Sequence, residues 1–237
     1  MRRVILKLVF FSSLYASGQS LDSTGNALSK LPDSMSNLYF TSQNESLPIY
    51  TGRLFYPQML VEGHAFVFSD EWKKGSITYE GIYYQDISFK YDVLQQELVV
   101  VTPKMVPIRL VSERVQQFNV GDQIFARYNP DKEQVLKTGF YQVTEAGSIT
   151  ILIHRRKIIQ EKIVQTTLER KFVPLHTFYA LKEGKYHLIH SKKSLLNLLG
   201  DSKQAVSRHL KQQKLKYKHD KEKYILRAAS FYNQSPK

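Results

Sequence analysis

From Ser76 to Val101 apolar and polar residues alternate with a period of two. Ile87, Phe89 and Tyr91 alternate with Ser88, Lys90 and Asp92, and upstream Ile77 and Tyr79 alternate with Ser76, Thr78 and Glu80. That spacing marks strands with one buried and one wet face. Glu80-Gly81 lies between the two runs, where a tight hairpin needs positive φ. Downstream, Asp92 to Gln96 is a polar break, and Leu98 to Val101 is an unbroken apolar run, the pattern of a strand covered on both faces. Three consecutive antiparallel strands are expected here. Tyr79, Tyr83, Tyr84 and Tyr91 are assigned to sheet packing, with an aromatic platform for sugars or bases as the alternative.

The same reading extends in both directions. Leu54 to Met59 contains Pro57 and can be only an edge or broken strand. His64 to Phe68 is a short apolar piece, followed by a charged turn, Asp70 to Gly75, that carries the chain's only tryptophan, Trp72. Pro103 and Pro107 interrupt the pattern before Ile108 to Val111. Val115 to Phe118, Gln123 to Tyr128, Gly139 to Thr144 and Ser148 to His154 then read as strands, separated by turns at Gly121-Asp122, Asn129-Pro130-Asp131 and Ala146-Gly147. The basic stretch from Arg155 to Lys171 fits a long strand or a loop. Phe178 to Leu181 and Lys185 to Ile189 flank a last hairpin at Glu183-Gly184.

After Ile189 the period changes. Ser191 is placed to cap a short helix ending near Leu199, with Gly200 as its stop, and Asp201 or Ser202 to cap a second. In the second, Ala205, Val206, His209 and Leu210 form an apolar side. Asp220 opens a third helix, whose stripe is Tyr224, Ile225, Ala228, Ala229 and Tyr232. The expected fold class is therefore mainly β, an antiparallel sandwich or barrel-like sheet over 53–189, with a small helical subdomain over 190–237.

The first eighteen residues stand apart. Arg2, Arg3 and Lys7 precede a short apolar region, and Ala16-Ser17-Gly18 supplies small residues before Gln19, as in a secretory signal peptide. Residues 19–52 are rich in Ser, Asn, Asp and Thr and read as a polar, partly disordered lead-in. No later stretch has the ~18 apolar residues of a membrane span. The expected location is the periplasm or the cell exterior.

Charge sharpens the picture. The net charge is +13, but residues 19–154 hold 11 Lys+Arg against 15 Asp+Glu, whereas 155–237 hold 20 against 6. The C-terminal third carries the basic character, which points to an anionic partner for it, with a merely solvated basic face as the alternative. Lys203, Arg208, Lys211 and Lys214 are the candidate contacts, with Arg208 and Lys211 sharing a helix face and Lys214 next along it. Tyr217 and Tyr224 lie among the surrounding lysines. An anionic envelope component or an acidic protein surface is the expected partner. Nucleic acid replaces it only if the opening segment is not a leader.

Catalytic chemistry has little to stand on. The chain contains no cysteine, which removes disulfides, thiolate metal sites and Cys nucleophiles together. His187 and His190 are three apart in a strand and face opposite ways, and there is no HExxH, GxSxG or phosphate loop. No cofactor is called for. The carboxylates of the β region, Asp70, Glu71, Glu80, Asp86, Asp92 and Glu97, could form an acid–base pair across strands, which keeps a carboxylate-dependent glycan hydrolase as the alternative to an exported, non-catalytic binding or scaffolding protein of the bacterial cell envelope.

The stretches Gly75 to Gly81, Phe89 to Asp92, and Ser191-Lys192-Lys193-Ser194 through Leu210 to Tyr232 resemble those of a family of secreted or periplasmic proteins of Bacteroidota that has no assigned activity. The resemblance implies export across an inner membrane and a β domain followed by a helical tail. It transfers no catalytic residue.

Overall fold

The computed structural model describes residues 47–58, 60–130, 135–144 and 146–234; the predicted leader and most of the lead-in lie outside them. Among the described residues eleven strands form one sheet in the order β1-β5-β4-β3-β2-β6-β7-β8-β9-β10-β11, with every pair of neighbours antiparallel. The strands are β1 (Arg53–Leu54), β2 (Lys73–Tyr79), β3 (Ile82–Asp92), β4 (Glu97–Val101), β5 (Pro107–Arg109), β6 (Val115–Val120), β7 (Gln123–Tyr128), β8 (Gly139–Thr144), β9 (Ile149–Val164), β10 (Thr167–Lys182) and β11 (Lys185–Leu188). Three helices follow: α1 (Lys192–Leu198), α2 (Lys203–Gln212) and α3 (Lys221–Gln234).

Two meanders meet at β2. Strands β2 to β5 step outward on one side; the chain then returns through a 3-10 turn at Ser112–Arg114 and lays β6 on the free edge of β2. The β2–β3 turn uses Glu80 and Gly81, both at positive φ, as a two-residue hairpin requires. Within β3 the alternation slips by one. Tyr84 and Ile87 both point inward because the register shifts opposite Gly75–Ile77 and Asp86 adopts φ 54°, the signature of a bulge. Tyr79, Tyr84 and Tyr91 are buried, as sheet packing predicts, but Tyr83 is exposed.

The sheet curls until β9 comes against the end of β3. Lys157 N on β9 donates to Val93 O, just beyond β3, at 3.3 Å. A strap through residues 62–67 completes the seam. Val67 N donates to Tyr91 O at 2.9 Å and Val93 N to Ala65 O at 3.0 Å, while Glu62 N donates to Arg170 O at 2.8 Å and Phe172 N to Glu62 O at 3.0 Å. Inside the curl Phe118 and Phe125 stack 4.9 Å apart, and Tyr91 meets Phe118, Phe125 and Phe140 edge-on at 5.0, 5.4 and 5.7 Å. Each such pair contributes about 1 kcal/mol beyond area burial. Leu47 and Ile49 join this core, ahead of the predicted domain start at Arg53.

The stretch 155–171 resolves as strand: β9 and β10 pair along their full lengths around a turn at Gln165-Thr166. Their inner halves are covered on both faces. Ile149, Ile151, Ile153, Phe178 and Ala180 lie under the helices, and Leu152 and Tyr179 pack with Leu136 and Tyr141 on the other side. Their outer halves protrude, with Ile163 74% exposed beside its cross-strand partner Leu168.

Ser191 caps α1 in a reciprocal capping box: Ser194 N donates to Ser191 Oγ at 3.1 Å, and Ser191 N to Ser194 Oγ at 3.0 Å. Gly200 stops that helix at positive φ. Ser202 precedes α2, but its side chain makes no capping bond, because Ser202 is already helical in backbone. Val206 and Leu210 bury as expected; Ala205 is exposed and His209 stacks on Phe231 instead. From α3, Tyr224, Ile225, Ala228 and Ala229 enter the core, and Asn233 clips the helix end to β9 by donating to Ile149 O and accepting from Ile149 N, both at 2.9 Å.

Candidate functional site

The predicted basic contacts are all exposed, on α2 and just beyond it. Arg208 and Lys211 are exposed on the side away from Val206 and Leu210, which anchor the helix, and Lys203 is exposed at its first turn. Lys214 is exposed too, but the structure corrects its place. The helix ends at Gln212, and Lys214 sits beyond it at φ 56°. There Leu215 N donates to Leu210 O at 3.1 Å and Lys214 N to Lys211 O at 3.0 Å, a Schellman stop with lysine where glycine is usual. None of the four cations pairs with an acidic side chain among the described residues. The region 190–237 contains only Asp201, Asp220 and Glu222 as acids, and Glu222 is bound to Arg155 on β9. The interleaved tyrosines are not platforms: Tyr224 is buried, and Tyr217 packs edge-on against it at 5.5 Å.

A second feature lay outside the sequence reading. The strap, the segment 55–58, Trp72, the end of β3 and Arg109 of β5 enclose a cleft of 380 Å³. Lys90 spans one wall. Its Nζ donates to Asp70 Oδ1 and to the Asp70 carbonyl, each at 2.6 Å, and lies 4.7 Å from the ring centres of both Phe66 and Trp72. Arg109 lies 5.2 Å from the ring centre of Phe55, donating to Glu97 Oε2 at 3.1 Å and to the Tyr56 carbonyl at 3.4 Å. Asp92 lines the same cleft; burial raises its pKa, opposed by the amides of Gln95 and Leu94 and by the Arg109 charge. Burial, and then the charge of Lys157, pushes the His64 imidazole below its ordinary value. The signal that could have found this place is the crowding of Phe55, Tyr56, His64, Phe66 and Trp72 into a stretch with little strand pattern.

The carboxylates do meet across strands. Asp92 and Glu97 are directly paired in the β3–β4 register. They open in different directions, however: Glu97 lines a separate, polar groove of 720 Å³ at the other side of the turn. That groove is rich in arginine, but Arg53 pairs with Glu97 at 3.5 Å, Arg114 with Glu80 at 2.8 Å and Arg127 with Glu113 at 3.8 Å. Glu71 pairs with Lys73 at 2.7 Å, and Asp86 forms the β3 bulge. No group of three metal-ligating side chains converges among the described residues, and none of their helices is long and apolar enough to cross a membrane.

Comparison of the chain with protein-family models, curated proteins and solved structures found no match.

Proposed function

We propose that this is an exported, non-catalytic binding protein of the bacterial cell envelope, of the kind it resembles in Bacteroidota, and that it holds a phosphate-rich anionic surface through its C-terminal helices. The supporting observation is the group of cations on α2 and at its stop: Lys203, Arg208, Lys211 and Lys214 are exposed with no acidic partner among the described residues. Ordinary surface cations are often balanced by nearby carboxylates; here the local acids are few, and Glu222 is already committed. The helix is fixed to the sheet core, so the charges are presented on a rigid support rather than on a loose tail. Each cation near an anionic membrane contributes about 1 kcal/mol and is screened by salt.

The test is binding to phosphatidylcholine vesicles with and without lipid A, read by co-sedimentation across a salt series. Wild-type protein is expected to bind only the lipid A vesicles, with affinity falling as salt rises. The combined substitutions K203E, R208E, K211E and K214E are expected to weaken binding roughly 100-fold or more and flatten the salt dependence. Equal retention on neutral vesicles, or an unchanged quadruple variant, refutes the proposal. Export is checked separately, by N-terminal sequencing of protein from its native host: a start at Gln19 agrees with it, and a retained Met1 does not.

A further inference from the structure

The cleft beside Trp72 has a different chemistry from the basic face. Its cations are spent. Lys90 is held by two oxygens of Asp70 and by two aromatic rings, so it fills the space that a cationic ligand would take between Phe66 and Trp72. Arg109 gives Nη1 to Glu97 and Nη2 to the Tyr56 carbonyl, so its charge is already met by a carboxylate; only its buried Nε is left without a partner among the described residues. What remains is an acceptor. Asp92 is 3% exposed; its Oδ1 takes the amides of Leu94 and Gln95 at 2.9 Å, and its Oδ2 makes no hydrogen bond among the described residues. Oδ2 is not sealed off and Asp92 lines the cleft, so a ligand hydroxyl there can supply the donor that Oδ2 lacks.

The apolar side of the cleft selects further. Tyr56 is 69% exposed and Trp72 40%, a large presentation for two aromatic rings on one pocket. Their π faces carry negative charge density and attract C–H bonds polarised by neighbouring oxygens. A neutral molecule with C–H faces and hydroxyl edges satisfies both walls at once. The volume of 380 Å³ lies near the lower end of the ~300–1,000 Å³ usual for small-molecule sites, which suits a short chain of rings. We propose that the cleft formed by Tyr56, Trp72 and Asp92 is a binding site for a neutral saccharide, its pyranose ring packed on the two aromatic residues and a hydroxyl donating to Asp92 Oδ2. Glycoside hydrolysis calls for two available carboxyl groups, and here Asp70 is occupied by Lys90, so the cleft binds without cleaving.

Trp72 is the only tryptophan in the chain, so its emission reports directly on the site. The full chain is titrated with glucose, galactose, N-acetylglucosamine and their β-linked di- and trisaccharides, following fluorescence and, in parallel, calorimetry. Saturable binding is expected for at least one of them. Tyr56→Ala and Asp92→Asn are each expected to weaken it roughly ten-fold or more. Tyr56 is exposed, and asparagine keeps the Oδ1 acceptor for both amides, so neither change removes the fold's own contacts. The quadruple charge reversal on α2 should leave saccharide affinity unchanged, which separates this site from the basic face. The proposal is overturned if no member of the panel binds, if both variants bind like the wild type, or if binding disappears with the α2 reversal alone.

Discussion

Arg155 on β9 and Glu222 on α3 form a two-point ion pair, Nη2 to Oε1 at 2.6 Å and Nη1 to Oε2 at 3.1 Å. The guanidinium is almost fully buried; its Nε donates to Gln142 Oε1 on β8, and its plane lies 5.3 Å from the ring centre of Phe68. One residue thus ties the curled sheet to the helical part. Removing only the acid leaves a buried cation without its partner, which costs far more than the pair itself contributes. Glu222→Ala should therefore destabilise the protein by about 3 kcal/mol, read as a lowered urea midpoint. The double variant Arg155→Met with Glu222→Leu should recover much of that loss. If the single variant unfolds like the wild type, the pair is not the joint between the two parts.

His154 makes stability depend on pH. Burial, reinforced by the charges of Arg156 and Lys137, lowers its pKa from 6.5 to about 4. The ring stacks on Tyr141 at 4.7 Å, and Nε2 lies 3.1 Å from Gln96 Oε1. Gln96 Nε2 donates to Val93 O and Arg155 O, which turns Oε1 toward the imidazole and assigns the proton to Nε2. The folded state disfavours the charged ring, so the unfolded chain binds the proton more readily. This contribution is complete above pH 6.5 and is lost as pH falls toward 4, by roughly 3 kcal/mol in all. Urea unfolding between pH 7 and pH 4 should show that loss, and His154→Gln should flatten it. An identical pH slope in the variant would count against the assignment.

Two glycines separate a packing requirement from a conformational one. A Cβ on Gly75 would sit 2.2 Å from the Asn119 carbonyl oxygen and 2.9 Å from the Phe89 ring, whereas one on Gly81 meets nothing within 4 Å. Gly75→Ala must therefore push β2 away from β6 and should cost about 2 kcal/mol or more. Gly81→Ala meets open space but is held at φ +79°, and should cost about 1 kcal/mol through the backbone alone. Thermal melts of the two variants test the ranking; Gly81→Ala as the more damaging change would invert it.

How far the chain could be read before its structure depends on what holds each part. β2 and β3 were legible because one face of each meets the core, so Ile77 and Phe89 announce themselves by spacing, and β4 because Leu98, Val99 and Val100 are all buried and read as an unbroken apolar run. The outer halves of β9 and β10 were not. Their faces are largely wet, Glu161 and Arg170 pair across the strands at 2.9 Å, and the ladder itself keeps them extended. Tyr56, Trp72 and Asp92 form a cleft because the strap bonds its backbone to β3 and β10, and backbone bonding leaves no mark on residue type. The basic residues of α2 were visible as charge, but the helix stop at a lysine was not, since the usual glycine is missing.

That lysine allows stability and binding to be moved in opposite directions. Lys214 occupies the left-handed position of the Schellman stop, which costs a side-chain-bearing residue about 1 kcal/mol relative to glycine. Its ammonium is exposed and makes no ion pair among the described residues, so the fold gains little from it. Lys214→Gly should raise the melting temperature while weakening attachment to lipid A vesicles and making it less sensitive to salt, since one contact of the four is gone. Lys214→Gln, which loses the charge but keeps the strain, should weaken binding to the same degree with no gain in stability. Glycine and glutamine variants that bind as tightly as the wild type would remove Lys214 from the contact surface. A glycine variant that melts no higher would mean that the strain is relieved elsewhere in the turn.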